Sequence, residues 1–266
     1  MTDADQSFQM SDTAGEISVD ISGGLAVLTI DRPHARNAIG LRTFGELERA
    51  LDSIANSDAS VVVFRGAGDR AFVSGGDVKE LSAIRDEAGA IVMASRMRRL
   101  LDRLSTFPVP VIAAVNGHAI GGGAEVALAA DIRMAADDIN VGFTQVKLGV
   151  MPAWGGAERL AEIVGRSRAI LLIGTGQILP ASQALGMGLL DIVCPRSEFD
   201  SRWRDLAQSF ASLPPGASRS IKATIAAARP HHHPDLEHDA VVRFARLWAA
   251  DTHWEAVRSF EKDRRK

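Results

Sequence analysis

Residues 111–130 read VIAAVNGHAIGGGAEVALAA: an apolar run of strand length, three consecutive glycines, and an alanine-rich helical segment carrying one acid, Glu125. A glycine turn that opens a helix exposes backbone N–H groups with no intrahelical partner, and the helix dipole adds partial positive charge there. Such a place suits an oxyanion or a phosphate. The glycines fall at Gly117, Gly121, Gly122 and Gly123, which does not match the G-x-G-x-x-G spacing of a dinucleotide-binding turn.

The same strand, glycine turn and helix order occurs on both sides of this stretch. Upstream, Val61–Gly66 (VVVFRG) is a continuous apolar run that predicts a fully buried strand, followed by AFVSGGDVKEL, where Ser74, Gly75 and Gly76 break the pattern and Asp77 precedes a short helix as an N-cap would. Downstream, VGFTQVKLGVMPAWGGAERLAEIVG repeats the alternation, which argues for an α/β architecture. Gly75-Gly76 and Gly121-Gly122-Gly123 then read as two loops bringing one N–H each to a single carbonyl oxygen, an oxyanion hole. The competing reading is that both sets only let strand and helix pack closely.

Nearer the N-terminus, Glu16–Ile21 and Leu25–Ile30 flank Ser22, Gly23 and Gly24 and predict a hairpin. The polar loop DRPHARNAIG leads into a helix with Leu47, Leu51 and Ile54 on one face. Glu87–Leu104 is helical by periodicity, and its cluster Arg96, Arg98, Arg99 and Arg103 reads as a solvated face. From about residue 165 the pattern becomes helical, ending in a segment whose Trp248, Trp254 and Phe260 are too apolar to stand alone and so pack on the body or on another subunit.

The 266 residues suffice for one main core, with 46% apolar and 24% charged residues and a net charge of −3. That balance gives no sign of a nucleic-acid or membrane partner, and no apolar run approaches membrane-spanning length. The lone Cys194 cannot form an internal disulfide, and the polar, acidic start is not signal-like, so the expectation is a cytoplasmic enzyme with a loose tail over 1–15. His231, His232 and His233 between two prolines match no zinc spacing, and no metal site is expected.

The motifs AFVSGGDVKEL, PVIAAVNGHAIGGGAEVALAADIRMA and KLGVMPAWGGAERL, with DRPHARNA before them and ALGMGLLDIV after, resemble those of the enoyl-CoA hydratase/isomerase, or crotonase, superfamily from about residue 16 to the C-terminus. The resemblance implies an α/β spiral of ββα units over 16–200 and a helical C-terminal region, 201–266, that packs into a homotrimer or a hexamer. It implies an acyl-CoA thioester substrate with no separate cofactor, its carbonyl held by the N–H groups of Gly76 and Gly122. His34, Ala35 and Arg36 match the loop that lines CoA, Asp77, Val78 and Lys79 the stretch near its adenosine, and Lys262 belongs to a basic end able to reach a neighbour's CoA.

Glu125 matches one catalytic glutamate of the hydratases, and in the first helical turn it is well placed for proton transfer beside the thioester. The second glutamate of that pattern falls on Gln145, and an amide cannot serve as a general acid or base near neutrality. Gln145 also repels no anionic substrate, which favours a malonyl-type CoA ester losing CO2, and MPAWGGAERL with Trp154 is similar to the ethylmalonyl-CoA decarboxylase branch. Three readings follow: an enoyl-CoA hydratase or isomerase using Glu125 alone, a decarboxylase of ethylmalonyl- or methylmalonyl-CoA, or a non-catalytic CoA-ester binding protein.

Overall fold

The computed structural model describes residues 15–213, 215–227 and 234–263. The expected tail, apart from Gly15, and the triplet His231 to His233 lie outside the described residues.

The hairpin forms as β1 (Ile17–Ser22) and β2 (Leu25–Ile30), antiparallel around Gly23 and Gly24, both at positive φ. After α1 (Leu41–Ala55) come β3 (Val61–Gly66), β4 (Ala71–Val73), α2 (Val78–Leu81) and α3 (Glu87–Ser105). The next turns are β5 (Val111–Val115), β6 (His118–Ile120) and α4 (Gly122–Leu128), then β7 (Ile132–Ala136), β8 (Asn140–Gly142) and α5 (Gly156–Val164). The turns that begin at β3, β5 and β7 each send the first strand to a six-stranded sheet ordered β1-β2-β3-β5-β7-β10 and the second to a four-stranded sheet ordered β4-β6-β8-β9. Pairing from β2 through to β10 is parallel, as is β4-β6-β8. This is the mixed α/β spiral of ββα units that the resemblance implied.

The sheet strands read as apolar runs because both faces are covered: every residue of β5 is buried, as is all of β3 except Arg65. On α1, Leu47, Leu51 and Ile54 are buried together as their spacing requires. Asp77 caps α2, its carboxylate accepting from the Glu80 N–H.

Two expectations need correction. Arg98 is not on a solvated face: it is 4% exposed and donates to Glu158 at 2.9 Å. It lies four residues after Ala94 and three before Leu101, on the helix face that packs inward, whereas Arg96 and Arg103 stay outward and pair with Glu48 and Asp52. The region after residue 165 is also not wholly helical. Between α6 (Arg166–Thr175), α7 (Ala181–Gly186) and α8 (Phe199–Ala211) it contains β9 (Ile178–Pro180) and β10 (Ile192–Cys194), which pair with β8 and β7. Strands of three residues are too short for alternation to show, and their partners are more than thirty residues away in sequence.

The chain ends in α9 (Pro215–Ala227), α10 (Pro234–Ala249) and α11 (Asp251–Asp263). α10 packs along α3, and α11 packs on the 3-10 turn Thr144–Leu148, so Trp248 and Trp254 are buried against this chain's own body while Phe260 is half exposed.

The position of α4 depends on Gly123, where an added methyl carbon would stand 1.7 Å from the Val73 carbonyl oxygen. Backbone of β4 cannot yield as a side-chain tip can, so Gly123→Ala is expected to cost about 3 kcal/mol or more, measured by urea unfolding. A loss below about 1 kcal/mol would contradict this packing.

Candidate active site

The turn after β4 and the turn before α4 meet face to face. Gly75 (φ 103°) and Gly121 (φ 60°) occupy backbone conformations that favour glycine, and a methyl group on Gly75 would stand 3.3 Å from the Gly122 nitrogen. Gly122 opens α4, so its N–H has no intrahelical acceptor, and among the described residues the Gly76 N–H has no protein acceptor either. Two unmatched donors therefore lie on adjoining turns. The Trp154 indole lies across both glycines: an added methyl carbon would fall 2.2 Å from its ring at Gly122 and 3.7 Å at Gly76.

A cavity of about 120 Å³ adjoins these turns, lined in part by Gly75, Gly76, Gly121, Gly122, Glu125 and Gln145. Trp154 also lines it while being 6% exposed and packed in the hydrophobic core. The remaining wall is mostly apolar and includes Met93, Met151, Phe244 and Trp248.

Glu125 is 2% exposed. Its Oε2 accepts from the Trp154 and Gly156 N–H groups at 2.8 and 2.9 Å, and its Oε1 accepts from the Gln145 amide at 2.9 Å. Gly156 is required for this approach, since a methyl carbon there would lie 2.3 Å from the Glu125 Cγ. Burial pushes the Glu125 carboxyl up to about 7; the hydrogen bonds from Gly156, Trp154 and Gln145 and the charge of Arg159 oppose that rise without cancelling it. Arg159 holds the turn from the other side, donating to the Trp154 carbonyl at 2.9 Å while pairing with Asp102 on α3.

The carboxyl is therefore near half-ionised at neutrality, the condition under which one group both takes and returns a proton. Gln145, by contrast, commits its NH2 to Glu125, leaving its Oε1 without a partner among the described residues.

Of the other predicted site residues, only Val78 lines the cavity. His34 and Ala35 belong to the 3-10 turn Pro33–Ala35, and Arg36 follows in the left-handed region at φ 55°, its carbonyl accepting from the N–H of the cavity residue Ser74. Asp77 accepts from Arg32 at 3.1 Å, and Lys79 and Lys262 are exposed. Among the described residues no group of three His, Cys, Asp or Glu side chains could hold a metal, and no helix is long and apolar enough to cross a membrane.

Sequence reading missed three contributors. Asn37 is 1% exposed and donates to the Ala67 and Ala71 carbonyls, fixing the 33–37 turn to the edge of β4; Asn116 does the same between Gly66 and Gly68. Their signal was an asparagine in a connecting turn, directly after β5 in the case of Asn116, easily taken for turn chemistry. His253, from α11, also lines the cavity, although it stands 128 positions after Glu125.

Comparison with known proteins gives the family. The family model described as enoyl-CoA hydratase/isomerase matches residues 20–265. The chain is 32% identical over 252 residues to a probable enoyl-CoA hydratase of Bacillus subtilis, covering 94% of this chain and 96% of that one. It is 36% identical over 212 residues to the short-chain-enoyl-CoA hydratase of Clostridium acetobutylicum, covering 79% and 80%. The crystal structure of an enoyl-CoA hydratase from Bacillus anthracis superposes with a TM-score of 0.78 at 31% identity, covering 93% of this chain and 96% of that one. The chain belongs to the enoyl-CoA hydratase/isomerase family and is an enzyme of that family.

The Glu125 environment has a measurable consequence for stability. In the unfolded chain this carboxyl ionises near 4.5, whereas folded it holds its proton up to about 7. The folded state thus binds the extra proton between those values, so this contribution is fully present below pH 4.5 and is lost as pH rises through 7. The loss is on the order of 3 kcal/mol. Glu125→Gln, which keeps an acceptor for the two N–H groups, is expected to lack it, so urea midpoints of wild type and variant should diverge in the variant's favour from pH 5 to 8. Parallel pH curves would show that Glu125 ionises normally.

Proposed function

We propose that this protein acts on a short enoyl-CoA thioester, holding the carbonyl oxygen with the Gly76 and Gly122 N–H groups and moving a proton at the adjacent carbon with Glu125 as the sole acid and base. The observation that carries this reading is the buried Glu125 carboxyl, poised at about 7 three residues after Gly122 and lining the same cavity as both glycines. As charge develops on the thioester oxygen, two preorganised donors in a desolvated pocket favour the enolate; removing one such donor elsewhere costs roughly 3 to 4 kcal/mol. Trp154 covers the glycines and excludes water from that face.

With one carboxyl, the proton removed and the proton returned pass through the same group. In hydration, Glu125 takes a proton from the attacking water and delivers one to the α-carbon of the enolate. In isomerisation, it removes an α-proton and returns one at the γ-carbon. Gln145 orients Glu125 through its amide and does not exchange protons itself. The turn 34–36 lines the CoA moiety, with Asp77, Val78 and Lys79 toward its adenosine. Self-association into a trimer or hexamer belongs to the same reading, supported by exposed Val146, Ile170, Leu171 and Ile178 around α6, and would bring Lys262 near a neighbour's CoA.

The decarboxylase alternative rests on Gln145 replacing a second carboxylate. Its support is weaker here, because the Gln145 NH2 is already engaged by Glu125 and, among the described residues, no Arg or Lys lines the cavity to receive a substrate carboxylate.

In D2O, the protein is expected to hydrate crotonyl-CoA, or to exchange the α-proton of butyryl-CoA, with a rate that rises with pH to a plateau governed by one group near 7. Glu125→Gln should lower that rate at least about a thousandfold. Unchanged turnover in the variant would remove Glu125 from the mechanism. Release of CO2 from ethylmalonyl-CoA without crotonyl-CoA turnover would establish the decarboxylase, and binding with no turnover of any thioester the non-catalytic reading.

A further inference from the structure

His253 is 1% exposed, lies in the first turn of α11, and lines the cavity that contains Glu125. Its Nδ1 faces the Leu148 carbonyl oxygen, an acceptor only, so Nδ1 carries the proton and donates. Nε2 is then a bare acceptor, buried and without a partner among the described residues.

The ring cannot easily turn away. It packs tilted against Trp248, with centroids 4.7 Å apart, and edge-on to Trp254, 4.5 Å apart, and Trp248 is itself pinned by donating to the Ile84 carbonyl at 2.9 Å. Burial lowers the His253 pKa and the Arg85 charge lowers it further, while the Leu148 carbonyl opposes; the imidazole is neutral at pH 7. No group of three metal-ligating side chains surrounds it among the described residues, which leaves no protein-built metal site for Nε2 to complete. An unmatched buried acceptor is destabilising, and a ligand that supplies a donor recovers that cost.

Resting on the acyl-CoA reading above, we propose that His253 Nε2 is a specificity residue that accepts a hydrogen bond from a hydroxyl group on the acyl chain, beyond the carbon atoms served by Glu125. Apart from the Gln145 Oε1 beside Glu125, the cavity wall, with Met93, Met151, Phe244 and Trp248, is mostly apolar and gives a hydroxyl few competing partners, so the imidazole acceptor discriminates between a hydroxylated chain and a plain one. The substrate class is a short acyl-CoA with a hydroxyl toward its distal end.

The test is binding, which does not depend on turnover. Dissociation constants are measured calorimetrically for butyryl-, valeryl-, 4-hydroxybutyryl- and 5-hydroxyvaleryl-CoA. At least one hydroxylated thioester should bind the wild-type protein about tenfold or more tightly than its plain counterpart. His253→Phe, which keeps the ring stacking and removes both nitrogens, should reduce that ratio to within about threefold; His253→Leu replaces it if the Phe variant does not fold. His253→Gln, whose amide can hold the Leu148 carbonyl and present an oxygen, should restore part of the ratio. A wild-type ratio near one for both pairs, or a ratio that survives loss of the imidazole, overturns the assignment. Binding of all four thioesters without discrimination would fail this inference alone, whereas binding of none would overturn the acyl-CoA reading with it.

Discussion

The site depends on one carboxylate being taken out of water and held by backbone. Glu125 reaches from the first turn of α4 to the Trp154 and Gly156 N–H groups, at the start of α5 in the next turn of the spiral. A buried carboxylate is tolerated only if its oxygens are matched, and three donors at 2.8 to 2.9 Å match them. The same burial that makes the group costly raises its pKa to about 7. Stability is thus given up for a carboxyl poised near neutrality, a trade often found at catalytic groups.

Small residues make that arrangement possible. Gly123 lets α4 approach the backbone of β4, Gly156 lets Glu125 reach its donors, and Gly122 accommodates the Trp154 ring. Behind them, Arg159, paired with Asp102, holds the Trp154 carbonyl, and Arg98 ties α3 to Glu158 on α5. These buried charges pair across elements that also carry the cavity wall, so the network fixes the turn on which Glu125 rests.

Much of this was legible in the residues. The apolar run of Val111–Val115, the glycine turns and the placement of Glu125 follow from local pattern, as do the hairpin and the inward face of α1. What local pattern could not supply was the partner of each group. Arg98 looks like its arginine neighbours until α5 is packed beside it. β9 and β10 become strands only through distant pairing, and His253 enters the cavity because α11 folds back over Thr144–Leu148. Gln145 was identified as the departure from a two-carboxylate scheme, but the direction of its amide, which leaves an acceptor and not a donor unmatched, required the structure.

The central claim is that Glu125 alone carries the proton in both directions, which requires its pKa to lie near neutrality. Carbon-13 NMR of protein labelled at the glutamate side-chain carboxyl carbon, with the Glu125 resonance assigned by its disappearance in Glu125→Gln, measures this directly. The account predicts one glutamate titrating at about 7, well separated from the others. Titration of Glu125 near 4.5, the ordinary value for this side chain, would contradict it.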